Sequence, residues 1–382
     1  MLYDDDGERG RAGELARFRA RKGCAISLYL DLDPGVTPTA RELATRVSSL
    51  LDAGAKSHGA TRGDLAHEIR QGLKADFERL ERFFEADFER NGALGLAVFA
   101  AGLDNAWNTL PLPMRVPDTI RVADDFLLAP LVPLVGRGEG ALVVVVNREA
   151  GRLLALRGGR LAEIADRTED APNRHDQGGW SQARLQRHVD NAAHEHYKNV
   201  AAELERRFHR LGRPRIVVVC SDDVRPEFAE VLPTDVADAI VGWASAEQHA
   251  GPSELHEVVE PLLEGWRKQC EGELVDRWRE EVGRGGRGAS GWQETLEAAS
   301  DARIDTLLYQ EGVGRDAFRC PACGRASLEG RACPLDGTTP EPRDDGLDLA
   351  VRLTLANGGN VWAVEHRQDL DPVEGIGAVL RF

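Results

Sequence analysis

Short, wholly apolar runs alternate along this chain with longer stretches in which apolar residues return every three or four positions. That pattern predicts buried strands between amphipathic helices. Residues 24–32 read as a strand whose second half alternates apolar and polar. Thr39 is placed to cap a helix carrying Leu43, Val47, Leu50 and Leu51. From about residue 62 to 90, Leu65, Ile69, Leu73, Phe77, Leu80 and Phe84 fall on one stripe at helical spacing, and residues 94–100 form another buried strand. Pro111, Pro113, Pro117, Pro130 and Pro133 then separate this first α/β segment, residues 1–128, from the next. It carries no catalytic constellation and reads as a binding or scaffolding module.

The second segment, residues 129–282, opens with 141–146, apolar enough to be a strand buried on both faces. Turns at Gly151 and at Gly158-Gly159 lead into strands 152–156 and 160–164, giving three antiparallel strands. A glycine-containing loop follows, then a long helix with Leu185, Val189, Ala192, His196, Val200, Leu204, Phe208 and Leu211 at spacings of three and four, stopped by Gly212. Residues 215–220 read as the next buried strand. One long helix, or a pair kinked at Pro261, covers 252–282. Residues 283–291, rich in Gly and Arg, read as a linker or exposed loop. The last segment, 292–382, alternates helix 293–299, strand 304–309, a Cys-rich insert (318–340), helix 347–357, strand 361–364 and a closing 376–382. The fold class is α/β throughout.

Length agrees with this division, since 382 residues exceed what one core accommodates. With 42% apolar and 29% charged residues the composition is that of an ordinary soluble protein. No apolar run approaches the roughly 20 residues that span a bilayer. The start, Met1 to Asp6, lacks the basic and apolar character of a signal peptide. Six cysteines in this length make no disulfide framework, so a cytoplasmic location without membrane contact is expected. A net charge of −16 argues against nucleic-acid binding over the whole surface. Residues 172–213 differ: eight Arg or Lys stand there against five Asp or Glu, with five of the ten His. Such an arm suits RNA phosphates, and it equally suits a solvated helix face.

Two local patterns carry chemistry. Cys320-Pro-Ala-Cys323-Gly and Cys333-Pro-Leu-Asp336-Gly form two short knuckles that could converge on one tetrahedral zinc. Asp336 stands where a fourth cysteine would be usual, so the pair reads either as a closed structural Cys₃Asp site or as a ribbon that has lost its metal. Phosphate-binding, serine-hydrolase and zinc-protease motifs are missing. His188, His194 and His196 are not spaced as helix-borne metal ligands, and Cys24, Cys220 and Cys270 sit in apolar or helical runs as core thiols. The second pattern is Arg174-His175-Asp176-Gln177-Gly178-Gly179-Trp180-Ser181-Gln182, at the mouth of the Arg-rich helix. The glycines free the backbone, Ser181 is placed to cap the helix, and Trp180 to anchor the loop or stack on a base. A glutamine amide is neither nucleophile nor base; it can orient water or polarise a carbonyl inside an active site supplied from elsewhere. On residues alone, an ordinary glycine turn ahead of a capped helix stands beside that reading.

This segment, continuing through Ala183-Arg184-Leu185-Gln186-Arg187-His188, together with the Cys-rich ribbon and the terminal Gly375-Ile376-Gly377-Ala378-Val379-Leu380-Arg381-Phe382, resembles the archaeal/eukaryotic class-I peptide release factors and Pelota. The match is closer to their bacterial Vms-like relatives. The resemblance covers nearly the whole chain and implies three domains: an N-terminal one, a central ribonuclease-H-like α/β domain, and a C-terminal Pelota- and ribosomal-protein-like α/β domain with a zinc-ribbon-like insert. It implies a peptidyl-tRNA hydrolase working at the large-subunit peptidyl-transferase centre of the ribosome, with peptidyl-tRNA and a translational GTPase as partners. The functional glutamine maps to Gln182 and the glycines to Gly178 and Gly179, with Ser181 the fourth residue of the expected catalytic set. Arg174, His175, Trp180, Arg184, Arg187 and His188 are the inferred RNA contacts, and zinc is the expected structural metal. Release factors place the glutamine directly after the two glycines, whereas Trp180-Ser181 intervene here. Their stop-codon-reading motif is not found in residues 1–128, so rescue of stalled ribosomes fits better than termination. Non-catalytic occupation of the ribosomal A site, in hibernation or rescue, is the alternative implied.

Overall fold

The computed structural model describes residues 12–61, 66–90, 93–112, 114–134, 141–157, 159–166, 182–247 and 249–382, with the backbone alone at 57–61, 134, 157 and 182–190. Residues 12–134 and 269–382 make one compact unit and residues 141–268 a second. The first chain segment contains β1 (Ala25–Asp31), α1 (Ala40–Thr61), α2 (His67–Arg82), β2 (Gly95–Ala101), β3 (Ala106–Leu112) and β4 (Thr119–Ala123). Its strands form an antiparallel sheet in the order β3-β2-β1-β4. The stretches read as strands at 24–32 and 94–100 became the two central strands, buried along their length. Thr39 and Glu42 close a reciprocal capping box: each side chain accepts the other's backbone N–H, at 3.1 and 3.2 Å.

Helix α2 is shorter than the stripe at 62–90 predicts. It ends at Arg82 in one π turn, Phe83–Asp87, where Phe83 makes edge-to-face contacts with Phe84, Phe88 and Trp107. Strands β3 and β4 were not expected, because prolines punctuate that stretch. Pro111 lies in β3 opposite Leu96, on the outer strand, where a missing N–H costs no ladder bond.

In the central segment come β5 (Leu142–Val146), β6 (Gly151–Arg157), β7 (Arg160–Asp166), α3 (Gln182–Arg210), β8 (Ile216–Val219), α4 (Val224–Glu230), α5 (Thr234–Asp238), β9 (Ile240–Ala244) and α6 (Pro252–Gly283). The sheet order is β7-β6-β5-β8-β9; β5, β6 and β7 are antiparallel, while β5, β8 and β9 run parallel. This is the strand arrangement of a ribonuclease-H-like sheet. Because successive strand residues face opposite ways, Leu142, Val144 and Val146 meet Val200, Leu204 and Phe208 of α3. Val143, Val217 and Val219 meet Leu255, Val259 and Leu263 of α6 on the other face. Pro261 lies inside α6, which is one helix rather than two.

The last segment holds β10 (Gly288–Ser290), α7 (Gly291–Ser300), β11 (Ile304–Gln310), β12 (Ala317–Arg319), β13 (Ala326–Ser327), β14 (Glu341–Arg343), α8 (Gly346–Ala356), β15 (Asn360–Val364) and β16 (Ile376–Leu380). One sheet runs β10-β16-β11-β15, and the insert forms a small sheet β13-β12-β14. Residues 288–290, within the stretch read as a linker, are strand β10 paired with β16. Small side chains suit this close edge pairing, and the Trp278 indole donates to the Ala289 carbonyl at 2.9 Å. The core of this compact unit draws on both chain segments, with Tyr29, Phe99 and Phe126 in one cluster with Leu307, Leu349 and Ile376. Among the described residues no helix is long and apolar enough to cross a membrane.

A polar network lies against that cluster. Asp125 is fully buried, yet its carboxylate accepts from Arg121 of β4 and Arg319 of β12, each at 2.6 Å. Arg343 of β14 and Arg352 of α8 approach it at 3.3 and 3.5 Å. Burial by itself would raise the Asp125 pKa, but the four guanidiniums overcome this and hold it at about 2. Nearby, Asp348 accepts the backbone N–H groups of Leu128 and Ala129, and Arg352 donates to the carbonyls of Phe126, Ala16 and Phe18.

Replacing Asp125 by Asn leaves buried guanidiniums without their counter-charge, and a loss of about 3–5 kcal/mol is expected in chemical denaturation at neutral pH. The folded-state pKa is depressed from 3.8 to about 2. The contribution is therefore complete above the unfolded value and disappears as pH falls through that interval. The stability difference between wild type and Asp125→Asn should shrink from pH 4 to pH 2.

Candidate functional site

Two places hold the residues singled out by their chemistry: the start of α3 and the Cys-rich insert. Strand β7 ends at Asp166 and α3 begins at Gln182. Arg174, His175, Gly178, Gly179, Trp180 and Ser181 fall outside the described residues. Gln182, Arg184, Arg187 and His188 belong to the first turns of α3, with their backbone helical.

What positions Gln182 is the seat of its helix. At 29 residues, α3 is about 43 Å long. Its buried face among the described side chains runs Ala193, His196, Tyr197, Val200, Ala201, Leu204 and Phe208. Ala192, placed on the stripe from sequence, is exposed, and Ala193 with Tyr197 takes its place. A bulky ring next to His196 outweighs a methyl in deciding which side faces the sheet. Tyr197 packs edge-to-face on Phe228 of α4. Opposite Val200 lies Gly151, where a Cβ would stand 2.2 Å from Val200 Cγ2. Glycine at the head of β6 is thus what lets the helix approach, a role the sequence marked only as a turn. At its far end the helix closes with Gly212 and Arg213 at φ of 78° and 64° and the Arg213 N–H donating to the Phe208 carbonyl at 2.8 Å.

In the insert, both knuckles are built alike. The Gly324 N–H donates to the Cys320 carbonyl and the Cys320 N–H to the Arg325 carbonyl, at 2.9 and 2.8 Å. Gly337, Cys333 and Thr338 repeat the pattern at the same distances. Gly324 and Gly337 take φ of 80° and 73°, a backbone that strains any other residue. The four donor atoms of Cys320, Cys323, Cys333 and Asp336 lie within 4.8 Å of one another. Cys323 and Cys333 sulfurs are 3.4 Å apart, and Cys320 Sγ is 3.4 Å from Asp336 Oδ2. Cys320 and Cys333 are buried, and Cys323 is exposed. The Cys323 N–H, aimed at the Cys320 sulfur, holds that thiol below its usual range. The Thr338 N–H does the same for the Asp336 carboxylate, from 2.9 Å. For Cys323, the Arg325 N–H lowers the pKa, but burial and hydrogen bonds to Cys333, Cys320 and Asp336 outweigh it and push it up to about 12. Three sulfurs and a carboxylate at this separation fit one tetrahedral ion with Zn–S bonds of about 2.3 Å.

The remaining thiols are placed as core. Cys24 and Cys220 are buried, Cys270 half-buried, and burial pushes Cys220 up to about 11. No sequence motif marked the open cavity of about 510 Å³ lined by Arg225, Leu232, Ile240 and Trp243, where Arg225 lies 5.1 Å above the Trp243 ring. It holds one cation and one aromatic face and neither nucleophile nor base.

Known proteins resemble this chain along its length. The chain is 25% identical to peptide chain release factor subunit 1 of Archaeoglobus fulgidus and 26% identical to that of Thermoplasma acidophilum. Each alignment covers 100% of this chain and 98% of the relative. Among solved structures, a crystal structure of an archaeal translation termination factor is 16% identical over 99% of this chain and 98% of that one, with a TM-score of 0.26. A model of ribosome-bound archaeal Pelota and ABCE1 is 13% identical over 75% and 77%, with a TM-score of 0.42. Along its whole length the chain is similar to archaeal peptide chain release factors. Its residues 127–265, the central sheet and its helices, match the family described as bacterial archaeo-eukaryotic release factor family 10.

The seat of α3 is testable through Gly151. Gly151→Ala forces a methyl into Val200, and about 1–3 kcal/mol of destabilisation is expected. Adding Val200→Ala removes the clash, so the double variant should melt above Gly151→Ala alone.

Proposed function

We propose that this protein acts on ribosomes as a release-factor-like peptidyl-tRNA hydrolase, freeing nascent chains from stalled complexes independently of a stop codon. The observation that carries the reading is Gln182 at the first position of a long, sheet-seated helix, directly behind Gly178-Gly179-Trp180-Ser181. Support comes from relatives named peptide chain release factor subunit 1 that align along the whole chain. In this reading Gly178 and Gly179 let the backbone enter a narrow channel, and the Gln182 amide orients a water against the ester carbonyl of peptidyl-tRNA. Water oxygen bonds to that carbon and the tRNA 3′ oxygen leaves, while the large subunit supplies the rest of the active site. Arg174, His175, Trp180, Arg184, Arg187 and His188 contact RNA, Ser181 caps the helix, and a translational GTPase delivers the protein to the A site.

The two residues between Gly179 and Gln182 favour keeping a second reading, in which the protein occupies the A site without hydrolysis. Release of labelled peptide from stalled ribosome complexes separates them. Wild type should release peptide, and Gln182→Ala should bind ribosomes equally but release about 10²–10³-fold more slowly, as for loss of one polarising donor. Equal release by both proteins removes Gln182 from the mechanism. Binding without release by wild type replaces hydrolysis with occupancy.

The insert is proposed to hold structural zinc through Cys320, Cys323, Cys333 and Asp336, where the ion would cross-link the two knuckles. Metal analysis of the purified protein should find stoichiometric zinc, and Cys333→Ser should lose it. A metal-free wild type ends this assignment.

A further inference from the structure

The cluster in the insert is not symmetric. Cys323 is exposed while Cys320 and Cys333 are buried. The Cys323 and Cys333 sulfurs, from different knuckles, stand 3.4 Å apart, whereas Cys320 has the Asp336 carboxylate oxygens at 3.4 and 3.6 Å. A pair at that separation needs to close by only about 1.4 Å to reach a disulfide bond of about 2.05 Å. With an aspartate in the fourth position the cluster contains an odd number of thiols, so full oxidation yields one disulfide and one remaining thiol. The first to meet a dissolved oxidant is the exposed one.

We propose that Cys323 and Cys333 form a peroxide-sensitive modification site, oxidised to a disulfide that dismantles the metal-binding knuckles. This rests on the zinc reading for its metal-release half only. The oxidant class is a small hydroperoxide, with hydrogen peroxide the simplest. The Cys323 thiol gives its proton to solvent, and the thiolate so formed attacks one peroxide oxygen, breaking the O–O bond. That oxygen stays on sulfur as a sulfenic acid, and the other leaves as hydroxide. The Cys333 thiolate then attacks the Cys323 sulfur, the S–S bond forms and a second hydroxide leaves, protonated to water. In total two thiols lose two electrons and two protons, the first hydroxide is likewise protonated, and peroxide is reduced to two waters. Cys320 and Asp336 alone would not hold a tetrahedral ion, so a metal bound by the knuckles would be released with the second step. The base of the insert is held separately, because Arg319 and Arg343 remain on Asp125. The change is therefore confined to the two knuckles.

The sequence supplies the readout. Trypsin cuts after Arg319, Arg325, Arg331 and Arg343, so Cys320 and Cys323 share peptide 320–325 and Cys333 lies in peptide 332–343. The full-length protein, treated with hydrogen peroxide and digested without reduction, should yield the cross-linked pair of these peptides. Cys320→Ser should yield it as well, Cys333→Ser should not, and dithiothreitol should reverse it. Zinc captured by a chromogenic chelator should appear in step with the disulfide. An internal Cys320–Cys323 disulfide within peptide 320–325, loss of the cross-link in Cys320→Ser, or zinc-loaded protein that forms no disulfide each overturns the proposal. A cross-link forming in protein that carries no zinc overturns the metal reading instead and leaves the thiol pairing in place.

Discussion

One buried carboxylate organises the larger compact unit. Asp125 has no exposure to water, a position from which an aspartate would ordinarily be expelled or neutralised. It remains ionised because guanidiniums reach it from β4, β12, β14 and α8, elements scattered over more than two hundred residues. Arginine is required in these positions. A planar fork shares one carboxylate and still has donors for a second partner, as Arg121 does with Asp345 and Arg352 with three backbone carbonyls. A lysine would present a point charge whose desolvation cost falls on a single contact. The apolar cluster beneath is shared by the same two chain segments. Polar clamp and apolar core therefore hold the same elements together, and neither is complete without both segments.

The clamp determines what the insert is free to do. Arg319 immediately precedes Cys320, and Arg343 closes the insert's third strand. The knuckles thus hang from a base that is already held by charge. A metal there has no need to hold the unit together, only to keep two turns facing each other. Under that division a carboxylate would be tolerable as the fourth donor of the proposed metal, since the Thr338 N–H already preorganises Asp336.

Legibility in the sequence followed burial on both faces. Strands β2, β5 and β8 were readable because unbroken apolar runs have few other uses in a soluble chain. The outer strands β3, β4 and β9 were not, since half-exposed positions, Pro111 and Gly242 erase the alternation. The register of α3 was set one residue off at Ala192 because alanines at 192 and 193 carry no weight against each other, and Tyr197 decides the face only once Phe228 is seen beside it. Asp125 and its arginines were unreadable, because isolated charges in sequence look like surface. The knuckles were readable because both halves of each turn lie within four residues. The glutamine segment is chemically silent without its relatives, an amide having no titration or nucleophilicity to advertise it.

That silence bears on how the proposed chemistry must work. A group that neither donates a proton to the reaction nor takes one contributes only by being in the right place, and a misplacement of about 1 Å can cost on the order of 10²-fold. Positional precision at Gln182 must be inherited from the helix it begins. In this fold the inheritance runs through Val200 on Gly151 and Tyr197 on Phe228, packing contacts several turns further along α3. Helical hydrogen bonds make those turns stiff, whereas a loop of the same length would lose the register. In the proposed mechanism the glycines would supply adaptability ahead of the amide, and the helix reference behind it. A side chain with no reactivity of its own needs both, because any substrate bond it helps to break must be brought to it already activated.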